Sequence, residues 1–331
     1  MGLKLKSPIV VSSCPLSESL AGIKTLEDSG AAAIVLFSLF EEQIRQENES
    51  FDCLMESASG SFAESSDFFP QVEDVEKGPE EYLDLLSKAV SATDIPIIGS
   101  LNGITNEGWI DYAKQIQQAG ASALELNVYY IPTDIFMSGA DVEQRYLDIL
   151  QSVKSSVSIP VAVKLSPFFS SIGHFAKRLD AAGADGLVLF NRFFQPDFNL
   201  DTLQVDPRAH LGSAEEIRVP LLWIAVLHQQ LAASLAASRG VQTSTEVVKY
   251  LLAGADVVMV ASALMRHGPE YLQVLTDELE QWLTSRGYGS ISEIRGKMSH
   301  HNVINPEEFE RVNYIKALSG AGMRKNRGGF K

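Results

Sequence analysis

The sequence predicts an α/β protein: a (β/α)8 TIM barrel with long loops after strands 2 and 6 and a C-terminal extension. Three observations carry this. Short β-branched apolar runs alternate with longer helical patterns, one glycine-marked junction recurs four times, and no GxGxxG follows the first run. An open doubly wound sheet, the alternative for such a pattern, usually carries that glycine signature after its first strand.

The elements follow in order. The strand runs are PIVVSS (8–13), AAIVLF (32–37), PIIGS (96–100), ALELNV (123–128), PVAVKL (160–165), GLVLFN (186–191), ASLAAS (233–238) and DVVMVAS (256–262). They are apolar with little alternation, as strands covered on both faces should be. Helical patterns fall between them at 16–29, 79–92, 107–119, 141–155, 171–182, 220–231, 244–253 and 269–285. The repeated junction reads SGAAAIV (29–35), AGASALEL (119–126), AGADGLVL (182–189) and AGADVVMV (253–260). Each places a glycine (Gly30, Gly120, Gly183, Gly254) just past a helix, where a left-handed residue stops it. DIP (94–96) and SIP (158–160) open two other strands, with proline at the harmless first position. Two connections, 39–80 and 192–218, are much longer than the rest and leave carboxyl ends of strands, the face on which barrel enzymes build their sites. The first, rich in Glu and Ser, is read equally as a solvated insertion. No linker separates a second domain, so residues 1–331 read as one unit with 286–331 as its extension.

Composition narrows the function. The 331 residues are 45% hydrophobic and 21% charged, enough for a sizeable core. A net charge of −15 argues against nucleic acid or an anionic membrane surface as main partner. No apolar run approaches the roughly 20 residues that a bilayer span needs. The two cysteines, Cys14 and Cys53, are too few for a disulfide framework or a cysteine-based zinc site, and no other metal-ligand spacing stands out. The expectation is a soluble cytoplasmic protein acting on a small molecule.

Polar residues close the strands: Ser12 and Ser13, Ser38, Ser100 with Asn102, Asn127, Lys164, Asn191, Ser238 with Arg239, and Ser262. A single serine there simply begins a loop. Lys164 is different, because an unpaired ammonium in a buried strand is costly and such a lysine tends to meet an anionic partner. Asn127 and Asn191 end otherwise core-like strands and offer amide donors and acceptors to a planar heterocycle. SRGV (238–241) and ASAL (261–264) end the last two strands, whose loops in many barrels cradle a phosphate. Gly240 permits close backbone approach, and Thr243 with Glu246 has capping-box spacing for the next helix.

With these residues in view, ELNVYYIP, VAVKLSP, LVLFN, the last two loops and the tail element SISEIRGKM (290–298) resemble the dihydroorotate dehydrogenase family, in its soluble class 1 form. The resemblance spans nearly the whole chain in order. It implies an FMN-binding barrel in which hydride passes from C6 of dihydroorotate to flavin N5 while a base takes the C5 proton. Lys164 would stand at the flavin N1/O2 edge, and Asn127 and Asn191 would bind substrate or flavin. Ser12, Ser13 and Asn102 would lie along the cofactor, with Ser238, Arg239, Gly240, Ala261 and Ser262 about its phosphate. A homodimer is implied, and a subtype of the class works with an iron–sulfur electron-transfer subunit.

The chain departs from the family at three points. The base cysteine three residues after the strand-4 asparagine is replaced by Tyr130, preceded by Tyr129. The lysine that closes strand 2 is replaced by Phe37-Ser38, and the glycine pair of the phosphate loop is Arg239-Gly240. A tyrosine of ordinary pKa near 10 is a poor base at neutral pH, so Tyr130 is the expected but handicapped successor. Cys53, a lone cysteine in the first long loop, is read as incidental rather than as a replacement base. FNRFFQPDF (190–198) is read equally as a lid or as loop packing. Three readings stay open: an FMN oxidoreductase, a flavin-free barrel using Lys164 as base or Schiff-base amine on a phosphorylated substrate, and a non-catalytic paralogue that retains the pocket.

Overall fold

The computed structural model describes residues 1–43, 78–103, 109–193, 195–206, 211–310 and 315. Cys53 and most of the first long loop lie outside the described residues. The strands are β1 (Ile9–Val11), β2 (Ile34–Val35), β3 (Leu39–Phe40), β4 (Ile97–Gly103), β5 (Ala123–Val128), β6 (Val161–Leu165), β7 (Gly186–Leu189), β8 (Asp197–Asn199), β9 (Gln204–Asp206), β10 (Ser234–Ala237) and β11 (Val257–Val260). The helices are α1 (Leu20–Asp28), α2 (Pro79–Ala92), α3 (Trp109–Gln118), α4 (Gly139–Lys154), α5 (Ile172–Ala181), α6 (Arg218–Leu227), α7 (Ser244–Ala253), α8 (Ser262–His267) and α9 (Tyr271–Ser285).

Parallel pairing runs β1–β2–β4–β5–β6–β7–β10–β11 and returns to β1, which closes an eight-stranded barrel. Each predicted run supplies one of these strands, and α2 and α7 start and stop at the predicted residues. Short β3 continues the second strand after a break at 36–38 and pairs with β4. The second long connection is not bare loop, since β8 and β9 form an antiparallel hairpin within it.

Local chemistry accounts for the element ends. The glycines of the repeated junction adopt φ of 102°, 94°, 95° and 122° at Gly30, Gly120, Gly183 and Gly254, which stops each helix and turns the chain into the next strand. Ser138 begins α4 by accepting the Asp141 N–H, while the Asp141 carboxylate accepts the Ser138 N–H. Those hydrogen bonds from Ser138 hold the Asp141 carboxyl below its ordinary range. Thr243 and Glu246 make the predicted box at α7.

Two packed regions result. Outward side chains such as Ile34, Leu124, Leu126, Val163 and Leu187 meet the helices in one continuous core. Inside the barrel, Val10, Ala33, Val35, Ile98, Ala123, Ala162, Val188 and Met259 form a smaller core, with Met1, Leu3 and Leu5 packed beneath it. Inward positions above this layer turn polar: Ser12, Ser100, Glu125 and Lys164 are all buried. That change of character along each strand places the site.

The described part of the C-terminal extension docks on α6 and α7. Gly296 N–H donates to Leu251 O (2.9 Å), Met298 N–H to Leu252 O (2.7 Å) and His300 N–H to Ala225 O (2.9 Å). His228 lies under it, with Nδ1 3.1 Å from Gly254 O and a buried Nε2 that has no partner among the described residues. A Cβ on Gly254 or Gly296 would overlap its ring. Desolvation lowers the His228 pKa; Arg295 and His301 add to that, while the Gly254 carbonyl and Asp256 oppose it. The folded state therefore favours the neutral ring, and the unfolded chain binds the extra proton below its own pKa of about 6.5. Stability from this site is complete above that pH and is lost as pH falls toward the lowered native value. The pH dependence of thermal unfolding should show this loss, and His228→Gln should flatten it.

Candidate functional site

The register of three adjacent strands aligns the principal polar residues. Asn102 on β4 pairs with Asn127 on β5, and Asn127 pairs with Lys164 on β6. The Asn191 amide, just after β7, donates to Asn127 Oδ1 at 2.7 Å, and its backbone N–H donates to Leu165 O at 2.7 Å. The two asparagines thus hold one another in orientation across the end of β6.

Lys164 is 6% exposed and donates to Glu125 Oε1 at 3.1 Å; Glu125 is 2% exposed. A second contact reaches Ser12 Oγ at 3.5 Å. Glu125 sits one inward position below Asn127 on β5, so the lysine leans down into the barrel to meet it. In a buried setting the attraction offsets desolvation only while both partners are present. Glu125 was not singled out from sequence, although ALELNV carried the signal: it shares the inward parity of Asn127.

Beside this pair runs a line of hydroxyls. Ser13 Oγ is 3.2 Å from Ser38 Oγ, which is 2.9 Å from Ser100 Oγ. Ser100 N–H donates to the Tyr82 hydroxyl at 2.8 Å, and burial pushes that phenol far above its ordinary range. The position at which the resemblance expects a second lysine is thus filled by neutral, mutually bonded groups.

At the carboxyl ends of the strands a cavity of 160 Å³ is lined by Ser12, Ser13, Lys164, Phe190, Asn191, Arg192, Gly212, Glu216, Ser238, Arg239, Gly240, Val241, Gln242, Met259, Ala261 and Ser262. It contains nine of the expected residues: Ser12, Ser13, Lys164, Asn191, Ser238, Arg239, Gly240, Ala261 and Ser262. Asn102 and Asn127 stand abreast of Lys164 without lining it. Arg192 and Glu216 were not anticipated, because they become neighbours only through folding of the second long loop; Gln242, directly after SRGV, was also missed.

Arg239 has φ of 83°, in the region that favours glycine, and Gly240 follows at 74°. A Cβ on Gly240 would come 2.5 Å from Ile217 N. The arginine is held by Glu216, with Nε 3.2 Å and Nη2 2.9 Å from Oε2, and Arg192 lies 3.7 Å from Glu216 Oε1. The Tyr250 hydroxyl donates to Arg239 O at 2.8 Å. Lys164, Arg192 and Arg239 line the cavity with Glu216, and Lys164 is matched by Glu125 below, which leaves one cation in excess. That balance, with the close backbone approach at Gly240, fits an anionic, phosphate-bearing group.

Tyr130 is not brought to this cavity. Its hydroxyl donates to Met137 Sδ at 3.2 Å, its ring lies under the Arg145 guanidinium at 4.1 Å, and it packs on the outer core. The parity of β5 explains this: Asn127 points inward, so the residue three positions on points outward unless the loop turns back. Tyr129 instead meets Phe193 at 4.4 Å, and Phe168 meets Phe193 at 6.2 Å, so three loops join in an aromatic cluster. The FNRFFQPDF stretch divides, with Phe190 and Phe193 buried and Phe198 exposed on the hairpin. Burial pushes the Cys14 thiol up, partly countered by a backbone hydrogen bond at Leu16 and by the Lys164 charge. Cys14 is thus a poor proton acceptor.

Removing one partner of the buried pair should be costly. Glu125→Gln should lose about 3–5 kcal/mol in denaturant unfolding, whereas Glu125→Gln with Lys164→Met should recover much of the loss, because no buried charge is left unpaired.

Comparison with known proteins identifies the family. The family model for dihydroorotate dehydrogenase matches residues 71–283. Similar relatives named dihydroorotate dehydrogenase B (NAD(+)), catalytic subunit, include one from Bacillus pumilus (strain SAFR-032), 30% identical over 217 residues, or 64% of this chain and 69% of the relative. One from Shouchella clausii (strain KSM-K16) is 29% identical over 210 residues, 61% of this chain and 68% of the relative. One from Bacillus cereus (strain B4264) is 30% identical over 210 residues, 62% and 67%. The match takes in β4 to β11, and with them the strand ends that carry Asn102, Asn127, Lys164, Asn191 and both cavity loops. This chain belongs to the dihydroorotate dehydrogenase family.

Proposed function

We propose that the protein is an FMN-dependent oxidoreductase of pyrimidine biosynthesis that takes a hydride from C6 of dihydroorotate or a related dihydropyrimidine, while the C5 proton passes to solvent water. The observation that carries this is the cationic cavity at the strand ends, with Lys164 at its floor and the bonded Asn127–Asn191 pair beside it. FMN, when bound, would supply the hydride acceptor. Ser238, Arg239, Gly240, Ala261 and Ser262 would hold its phosphate, with Ser12, Ser13 and Asn102 along its length. Lys164 would place positive charge beside the ring system, and Asn127 and Asn191 would orient the substrate through their amides.

Exposed Phe198, Leu200, Leu203 and Val205 on the β8–β9 hairpin, with Ile135 and Phe136 on the loop after β5, support a homodimer formed through these loops. The relatives are named catalytic subunits, which supports an electron-transfer partner as well. The cytoplasm is the proposed compartment, in keeping with two cysteines in 331 residues.

One observation favours a second reading, a family member of different specificity or without catalysis: the Tyr130 hydroxyl is committed to Met137 beneath Arg145 rather than to the cavity. A visible spectrum followed by anaerobic dihydroorotate separates the two. Under the leading reading, purified protein shows flavin bands that dihydroorotate bleaches, and Lys164→Ala abolishes bleaching. Flavin that stays yellow supports the second reading, and failure to bind FMN defeats both flavin readings. Tyr130→Phe should leave the bleaching rate unchanged, since the structure keeps its hydroxyl out of the cavity. A large loss would restore Tyr130 as the base.

A further inference from the structure

The barrel interior holds a second cavity. At the amino-terminal end of the strands a space of 420 Å³ is lined by Met1, Leu3, Val10, Val35 and Ala162 among others, and Glu125 also lines it. Small inward residues account for the space: Ala33, Ala162, Gly186 and Ala236 stand where barrels usually place branched side chains. Lys164 lines the upper cavity, Glu125 the lower, and Met259 both. What separates the two is therefore an ion pair, 3.1 Å across, with a methionine beside it.

We propose that Glu125 is a positioning residue that acts from the lower cavity to keep Lys164 a cation at the floor of the upper one. Among the described residues, Glu125 is the carboxylate in ion-pair contact with Lys164, and the contacts of the amine beyond it are neutral. A buried ammonium deprived of its anion sheds its proton rather than remain charged in an apolar interior. The neighbouring strand positions cannot substitute, because Ser100 and Ala162, the register partners of Glu125, carry no charge. The positive charge facing the upper cavity thus depends on a group that lines the opposite one. The charge assignment stands without any cofactor; its consequence for bound flavin rests on the function proposed above.

The test is the labelling of Lys164 by cyanate, which carbamylates only neutral amines, followed in flavin-free protein by peptide mass spectrometry from pH 6 to 10, with exposed Lys88 as internal reference. In Glu125→Gln the midpoint of the Lys164 profile should move to lower pH by at least one unit, a roughly tenfold faster reaction at pH 8. Glu125→Asp retains the carboxylate one methylene further back and should move the midpoint less, which keeps the test decisive if Glu125→Gln does not fold. A profile that keeps its midpoint, or that rises equally at every pH because the barrel has loosened, overturns the proposal. In FMN-loaded protein, measured above the shifted Lys164 midpoint where the variant's amine is neutral, the flavin midpoint potential should fall in Glu125→Gln, and an unchanged or raised potential at that pH overturns it equally. If the wild type takes up no FMN, the proposed function fails, and the labelling still decides the role of Glu125.

Discussion

A buried ion pair between β5 and β6 sets the terms for the rest of the molecule. Lys164 and Glu125 lie at the level where the barrel interior changes from apolar to polar, and both are almost wholly shielded from water. Charges in such a place need rigid surroundings, since their attraction exceeds the desolvation cost only at close, fixed geometry. The surroundings supply that rigidity: long parallel pairing of β4, β5 and β6 and the Asn127–Asn191 bond above. The site's chemistry and the integrity of the barrel are therefore joined in one pair of side chains.

The two ends of the strands play different parts. The upper end gathers polar and cationic groups from four loops into one lining, and capping boxes and glycine turns fix the geometry of the adjoining helices. The lower end is apolar and loosely filled, with the first residues of the chain packed beneath it. Replacement of the family's second lysine by the Ser13–Ser38–Ser100 line removes one cation from the upper end. Arg239, expected from the sequence, and the unanticipated Arg192 stand on its other side. Relative to the family pattern, positive charge lies toward the loops after β7 and β10 rather than at the end of the second barrel strand.

Much of this was legible in the sequence because it is local. Strand runs, helix-stopping glycines and capping boxes are written within a few residues of one another, and each predicted run became a barrel strand. Lys164, Asn127 and Asn191 stood out because a polar side chain inside an apolar run has few innocent explanations. Glu125 sat in the same run and escaped notice, since its meaning lies in a neighbour 39 residues away. Glu216 and Arg192 were invisible for a related reason: they reach the cavity only once the connection after β7 has folded over it. Tyr130 shows the opposite limit. Its spacing from Asn127 matched a reactive position, yet parity along the strand and the attraction of Met137 and Arg145 drew it outward.

Arg239 has a further consequence. A non-glycine residue at φ of 83° carries roughly 1–3 kcal/mol of conformational strain, and here a carboxylate and a phenol hold it in place. Intrinsic backbone preference and side-chain attraction pull this position in opposite directions. Replacement by glycine would relax the first and forfeit the second, while freeing the unfolded chain. The loop is thus a mutational near-neutral point, across which a lineage could exchange an anchored turn for a supple one without crossing a deep valley in stability.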